Sequence, residues 1–180
     1  MKRAVFLDRD GVINRAIVRD GKPHPPQTLR EVELVPDALP ALRRLHEERF
    51  LLIVVTNQPD VARGTQERST VEAINDRLAN ELPIDEFVVC YHDDDAACEC
   101  RKPKPGGILD AAARLGIDLS LSFLIGDRWR DIEAGQRAGC SNYFIDYGYA
   151  ERQPLPPFSR VHSLAEAADG IVTRIATEDS

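Results

Sequence analysis

No apolar stretch approaches the roughly 20 residues that a membrane-spanning helix needs. Met1-Lys2-Arg3 leads into the first apolar run without the apolar core of a secretory signal. A cytoplasmic protein with no membrane association is therefore expected. A basic block is also missing. The 30 acidic residues outnumber the 23 basic ones, giving a formal charge of −7 and a pI near 5.1, which disfavours a nucleic-acid-binding groove. No internal repeat or low-complexity segment is present, so the chain is not a repeat array. Cysteine is scarce and unevenly placed. Three of the four, Cys90, Cys98 and Cys100, crowd around His92, a metal-like rather than disulfide-like distribution. Cys140 stands alone after Gly139 and reads as a small buried residue.

What is present is enough for one domain with a substantial core, expected to span residues 1–180. Short apolar runs alternate with amphipathic stretches. Ala4–Leu7, Phe50–Val55, Phe87–Val89, Phe123–Gly126 and Asn142–Asp146 read as buried strands. Leu39, Leu42 and Leu45 recur at helical spacing within 37–49, as do Val71, Ile74, Leu78 and Leu82 from Ser69 onward. Further helices are expected over 107–115, from Asp131 to Ala138, and from the capping signature Ser163–Glu166 to Ala176, with Thr177–Ser180 frayed. Val161-His162 is a candidate edge strand, and 15–36 reads as an irregular loop with a turn at Asp20-Gly21. Strands and helices in this order imply an α/β fold, a Rossmann-like parallel sheet flanked by helices.

In such a sheet the carboxyl ends of the strands share one edge, where ligands bind. The first strand stops at Asp8-Arg9-Asp10-Gly11. If the backbone stays extended, Asp8 and Asp10 face the same side, and carboxylates that close together call for a divalent cation or a shared proton. Thr56 and Asn57 end the second buried strand, Arg101 and Lys102 follow the third, and Asp127 follows the fourth. Asp131 falls at a helix start, where it either caps the helix or joins a metal. Carboxylates, a hydroxyl, an amide and fixed positive charge on one edge form an inventory for phosphoryl transfer.

The segment CYHDDDAACEC, residues 90–100, offers three thiolates and an imidazole. Four such ligands suit a closed, structural tetrahedral Zn²⁺ site of Cys90, His92, Cys98 and Cys100, with Asp93, Asp94 and Asp95 solvated around it. Arg101-Lys102-Pro103-Lys104 comes directly off that cluster, so a bound metal would fix where these cations point.

The motifs DRDGVIN, TNQ, CRKPKPG and GDRWRD, in this order over nearly the whole chain, resemble those of the haloacid dehalogenase-like phosphatases. The resemblance is closest to the members that act on heptose 1,7-bisphosphates or on histidinol phosphate, which also carry a Cys-x-His…Cys-x-Cys zinc loop before Arg-Lys-Pro. It implies Asp8 as nucleophile and Asp10 as general acid and base, with Thr56 and Lys102 holding the phosphoryl group. Arg101 would meet the substrate, and Asn57 and Arg128 are further candidate contacts. Mg²⁺ would be held by Asp8, the Asp10 carbonyl and Asp127. The spaces between motifs leave no room for a cap domain. Ala62-Arg63-Gly64 resembles the heptose enzymes, whereas the five-residue gap between His92 and Cys98, and Arg128 itself, resemble the histidinol-phosphate members. The expected reaction is removal of the 7-phosphate of D-glycero-D-manno-heptose 1,7-bisphosphate by a monomer, with histidinol phosphate as the alternative substrate. An inactive zinc-stabilised binding module is the alternative from another class.

Overall fold

The computed structural model of the chain describes residues 2–178. Its centre is β1 (Ala4–Leu7), sealed from solvent along its whole length. The chain then forms a hairpin, β2 (Ile17–Arg19) and β3 (Lys22–His24), followed by α1 (Ala38–Glu47), β4 (Leu51–Asn57), α2 (Arg68–Glu81) and β5 (Glu86–Cys90). Next come α3 (Gly106–Leu115), β6 (Phe123–Gly126), α4 (Trp129–Ala138), β7 (Ser141–Ile145), β8 (Ser159–Val161) and α5 (Leu164–Glu178).

Six strands pair in parallel in the order β5-β4-β1-β6-β7-β8. The chain winds outward from β1 through β4 to β5, then returns to the other side of β1 with β6. The point where the winding reverses lies between β1 and β6, and the crevice there is where this kind of sheet takes its ligand. Alternation along β1 divides the core. Val5 and Leu7 pack with the apolar faces of α1, α2 and α5, while Ala4 and Phe6 pack with those of α3 and α4. Truncating Phe6 to alanine would cost about 3–5 kcal/mol at such a site.

Two sequence expectations need correcting. The stretch 15–36 is not wholly irregular, because β2 and β3 pair antiparallel across Asp20-Gly21. Both turn residues have positive φ, 49° and 71°, the geometry that a two-residue hairpin turn requires and that Asp-Gly supplies cheaply. The expected fraying also begins too early: Thr177 and Glu178 belong to α5, and Asp179 and Ser180 lie outside the described residues. Among the described residues no cap domain interrupts the strands, and no helix is long and apolar enough to cross a membrane.

Candidate active site

Asp8 leaves β1 with its backbone N–H donated to the Ile125 carbonyl of β6 at 3.0 Å, which fixes it at the reversal point. The Lys102 ammonium lies between two carboxylates, 2.8 Å from Asp8 Oδ1 and 2.7 Å from Asp131 Oδ1, and also donates to the Val55 carbonyl at 2.6 Å. All three side chains are buried. Burial opposes the charge on Lys102, but Asp131 and Asp8 outweigh it and raise its proton affinity. Burial and the Asp131 charge push Asp8 up to about 6, against the opposing pull of Lys102.

Asp127, at the end of β6, is the most demanding group in the cleft. Neither carboxylate oxygen makes a hydrogen bond, although the residue is 1 % exposed. Burial and the charges of Asp8 and Asp131 raise its proton affinity, while the nearby Tyr149 hydroxyl and the Arg128 charge act the other way without cancelling the rise. A buried carboxylate without donors is costly unless a cation or proton satisfies it. Asp8, Asp127 and Asp131 each place an oxygen within 4.8 Å of the others, an all-oxygen set that suits a hard divalent ion such as Mg²⁺. Gly11 makes room for it: a Cβ there would sit 1.9 Å from Asp127 Oδ2.

Of the two roles that its position at a helix start allowed, Asp131 takes the cap, and it adds an ion pair that the sequence did not indicate. One oxygen accepts the Arg128 backbone N–H at 3.0 Å, capping α4, and the other pairs with Lys102. Gly126 is needed for this approach, since a Cβ would lie 2.2 Å from that of Asp131.

The Asp10 carboxylate stays outside the cation cluster. It accepts from Arg9, from Asn14 Nδ2 at 2.9 Å and from Gln58 Nε2 at 2.8 Å. A contribution of Asp10 to a cation beside Asp8 would therefore come from its backbone carbonyl. Gln58 also donates to Thr56 Oγ1 at 2.9 Å, which leaves the buried Thr56 hydroxyl proton free to point into the cleft. Arg9 and Gln58 were not among the residues expected from the sequence. The usable signal was the presence of polar residues flanking each strand-end motif, but the direction of their side chains follows from the fold.

Asn57 lines the cleft, yet both ends of its amide are spent on the backbone of Lys102. Nδ2 donates to the Lys102 carbonyl at 3.0 Å, and Oδ1 accepts the Lys102 N–H at 3.1 Å. Its chief contribution is to hold the lysine in place across the strand ends. Arg128 also faces the cleft, with its guanidinium paired to Glu151.

Beyond β5, Cys90, His92, Cys98 and Cys100 converge. Cys90 Sγ lies 4.0 Å from Cys98 Sγ, 3.0 Å from Cys100 Sγ and 3.6 Å from His92 Nδ1, and His92 Nδ1 lies 3.3 Å from Cys100 Sγ. Zn–S bonds of 2.3 Å in a tetrahedron place sulfurs about 3.8 Å apart, so the four fit one such ion. The neighbouring aspartates are not simply solvated, as the sequence suggested. Asp93 pairs with Arg63, and Asp94 with Arg63, Arg101 and Arg130. The structure thus turns a polar loop into one wall of a cleft of about 390 Å³ that reaches Asp8, Asp10, Thr56 and Lys102.

Comparison with known proteins agrees with this geometry. The profile of the haloacid dehalogenase-like hydrolases matches residues 27–139. The D-glycero-beta-D-manno-heptose-1,7-bisphosphate 7-phosphatase of Bordetella bronchiseptica is 32 % identical over 94 % of this chain and 98 % of its own length. The enzyme of that name from Pseudomonas aeruginosa is 35 % identical over 84 % of this chain and 87 % of its own. The crystal structure of D,D-heptose 1,7-bisphosphate phosphatase from B. bronchiseptica, complexed with magnesium and phosphate, superposes with a TM-score of 0.84 at 31 % identity, covering 97 % of this chain and 99 % of that one.

Proposed function

The chain belongs to the haloacid dehalogenase-like hydrolase family, and from that premise we propose that it is a Mg²⁺-dependent phosphatase removing the 7-phosphate of D-glycero-D-manno-heptose 1,7-bisphosphate. The observation that carries the reading is the buried set Asp8–Lys102–Asp131 beside a donorless Asp127, at the point where the sheet reverses its winding.

Asp8 is the nucleophile. Its free oxygen attacks phosphorus, an Asp8–phosphoryl bond forms and the bond from phosphorus to the sugar oxygen breaks. Asp10 gives its proton to the departing alkoxide, then takes one from the water that attacks the aspartyl-phosphate, which releases inorganic phosphate and restores Asp8. Lys102 and the Thr56 hydroxyl hold the transferring oxygens, with Lys102 oriented by Asn57 and Asp131. Asp8, Asp127 and the Asp10 carbonyl would hold Mg²⁺, with Asp131 close by, and the ion would neutralise charge on the phosphoryl group. Arg101 and Arg128 face the rest of the substrate from the cleft wall.

Cys90, His92, Cys98 and Cys100 would hold a structural Zn²⁺, which would anchor the loop leading into Arg101 and Lys102. Thiolate ligands persist in a reducing compartment, so a cytoplasmic location is part of the same reading. An inactive scaffold would be expected to have lost one of the reacting groups, whereas Asp8, Asp10, Thr56 and Lys102 line one cleft and Asp127 adjoins Asp8.

The test is phosphate release from the heptose bisphosphate and from histidinol phosphate, assayed side by side with Mg²⁺. Greater kcat/KM on the bisphosphate and loss of turnover in Asp8→Asn are expected. Equal or better turnover of histidinol phosphate would overturn the substrate assignment, and full activity in Asp8→Asn would overturn the mechanism.

A further inference from the structure

Arg101 and Arg130 each precede a member of the buried charge centre, Lys102 and Asp131 respectively. They therefore stand beside that centre on two different elements, and with Arg63 they face the same cleft. One carboxylate touches all three, although Arg63 is held chiefly by Asp93, at 2.5–2.9 Å. Asp94 Oδ1 accepts from Arg101 Nε at 3.0 Å, Arg101 NH2 at 2.7 Å and Arg130 NH1 at 3.2 Å, and Asp94 Oδ2 accepts from Arg63 NH2 at 3.2 Å. Even so, the cluster is not saturated, because Arg130 Nε is buried with no acceptor.

The two sides of this contact differ in how firmly they are held. Arg101 is nearly buried and also tied to the His92 carbonyl at 3.2 Å. Asp94 is 54 % exposed at the tip of the Cys/His loop, so its withdrawal disturbs little packing. A phosphate brings a charge near −2 and three acceptor oxygens, against −1 and two for the carboxylate. Resting on the reading above, we propose that Asp94 is a built-in anion that occupies the Arg63–Arg101–Arg130 cluster until the second phosphate of a bisphosphate displaces it. A monoester that carries only the scissile phosphate leaves Asp94 in place. Asp94 thereby sets how strongly the site discriminates between doubly and singly phosphorylated sugars.

The experiment compares wild type, Asp94→Asn and Asp95→Asn on two substrates, the heptose 1,7-bisphosphate and the heptose 7-phosphate, under one Mg²⁺ concentration. Asp95 is exposed on the same loop and takes no ion pair among the described residues, so its variant controls for the change in net charge. Asp94→Asn is expected to lower KM for the bisphosphate, on the order of fivefold for the loss of one partly exposed competing charge. Its kcat, and its KM for the 7-phosphate, should stay within twofold of wild type, and Asp95→Asn should match wild type on both. A bisphosphate KM that is unchanged or raised in Asp94→Asn overturns the proposal and marks Asp94 as an anchor for Arg101. Equal shifts on the two substrates, or the same shift in Asp95→Asn, also overturn it. Wild-type protein that cleaves neither substrate would instead overturn the functional reading on which the proposal rests.

Discussion

Arg9 donates to both carboxylate oxygens of its neighbour Asp10 at 3.1 Å, while its remaining nitrogen reaches Asn75 Oδ1 of α2 at 3.0 Å. The Arg9 side chain is fully sealed from solvent. A planar fork bound on both sides fixes the carboxylate in orientation as well as in place.

Replacing Arg9 by methionine removes that fork, takes the donor from Asn75 Oδ1 and leaves Asp10 only Asn14 and Gln58. Breaking a buried pair from one side costs about 3–5 kcal/mol, to be read from denaturant unfolding. Misplacing the proton carrier should lower kcat on the order of 100-fold with little change in KM. Arg9→Lys keeps the charge but loses the fork, and should recover stability better than it recovers kcat. Wild-type kcat in a folded Arg9→Met protein would reduce Arg9 to a structural role.

Gly11 has φ of +94°, and a Cβ there would lie 1.9 Å from Asp127 Oδ2. Gly11→Ala should therefore push Asp127 out of the carboxylate set and strain the turn by about 1–3 kcal/mol. Calorimetric titration with Mg²⁺ should show affinity reduced at least tenfold while far-ultraviolet circular dichroism stays native. Unchanged affinity would separate Asp127 from the cation.

The raised value for Asp8 makes Mg²⁺ binding depend on pH. Between its ordinary 3.8 and about 6, the folded protein keeps a proton that the unfolded chain has released. Without the cation, the Asp8 contribution to stability is therefore fully present below pH 3.8 and is lost as pH rises from there through about 6. Mg²⁺ competes with that proton. The rise in Tm on adding a fixed excess of Mg²⁺ should accordingly be small at pH 5 and larger at pH 7.5. An equal rise at both values would count against Asp8 as a ligand.

Zn²⁺ should be present at one ion per chain by elemental analysis. Removing it with a strong chelator, or replacing Cys98 by serine, should lower Tm and reduce kcat/KM by freeing the loop that carries Asp94, Arg101 and Lys102. If the Zn²⁺-free protein kept both its melting temperature and its activity, the four ligands would have no structural role.

The positions of the carboxylates in the candidate site were legible in the sequence because the signals are local. A short apolar run marks a buried strand, and whatever ends it lies on the ligand edge of a parallel sheet. That placed Asp8, Thr56, Lys102 and Asp127 on one edge, and the spacing of Cys90, His92, Cys98 and Cys100 marked four side chains that converge. The hairpin at 17–24 was harder to see because strands of three residues carry almost no periodicity.

The sequence by itself determined which residues could share one site, beginning with Asp8 at the end of the first strand. Which of them touch was decided by the tertiary structure. Asn57 meets Lys102 across 45 positions and Asp94 meets Arg130 across 36, and Asp131 becomes a partner of Lys102 only because α4 starts beside β6. Arg9 turns away from the cleft to reach Asn75, 66 positions along the chain. Such contacts depend on strand register and on where the sheet reverses its winding. Spacing along the chain specifies neither, because they are selected by burying both faces of the sheet at once.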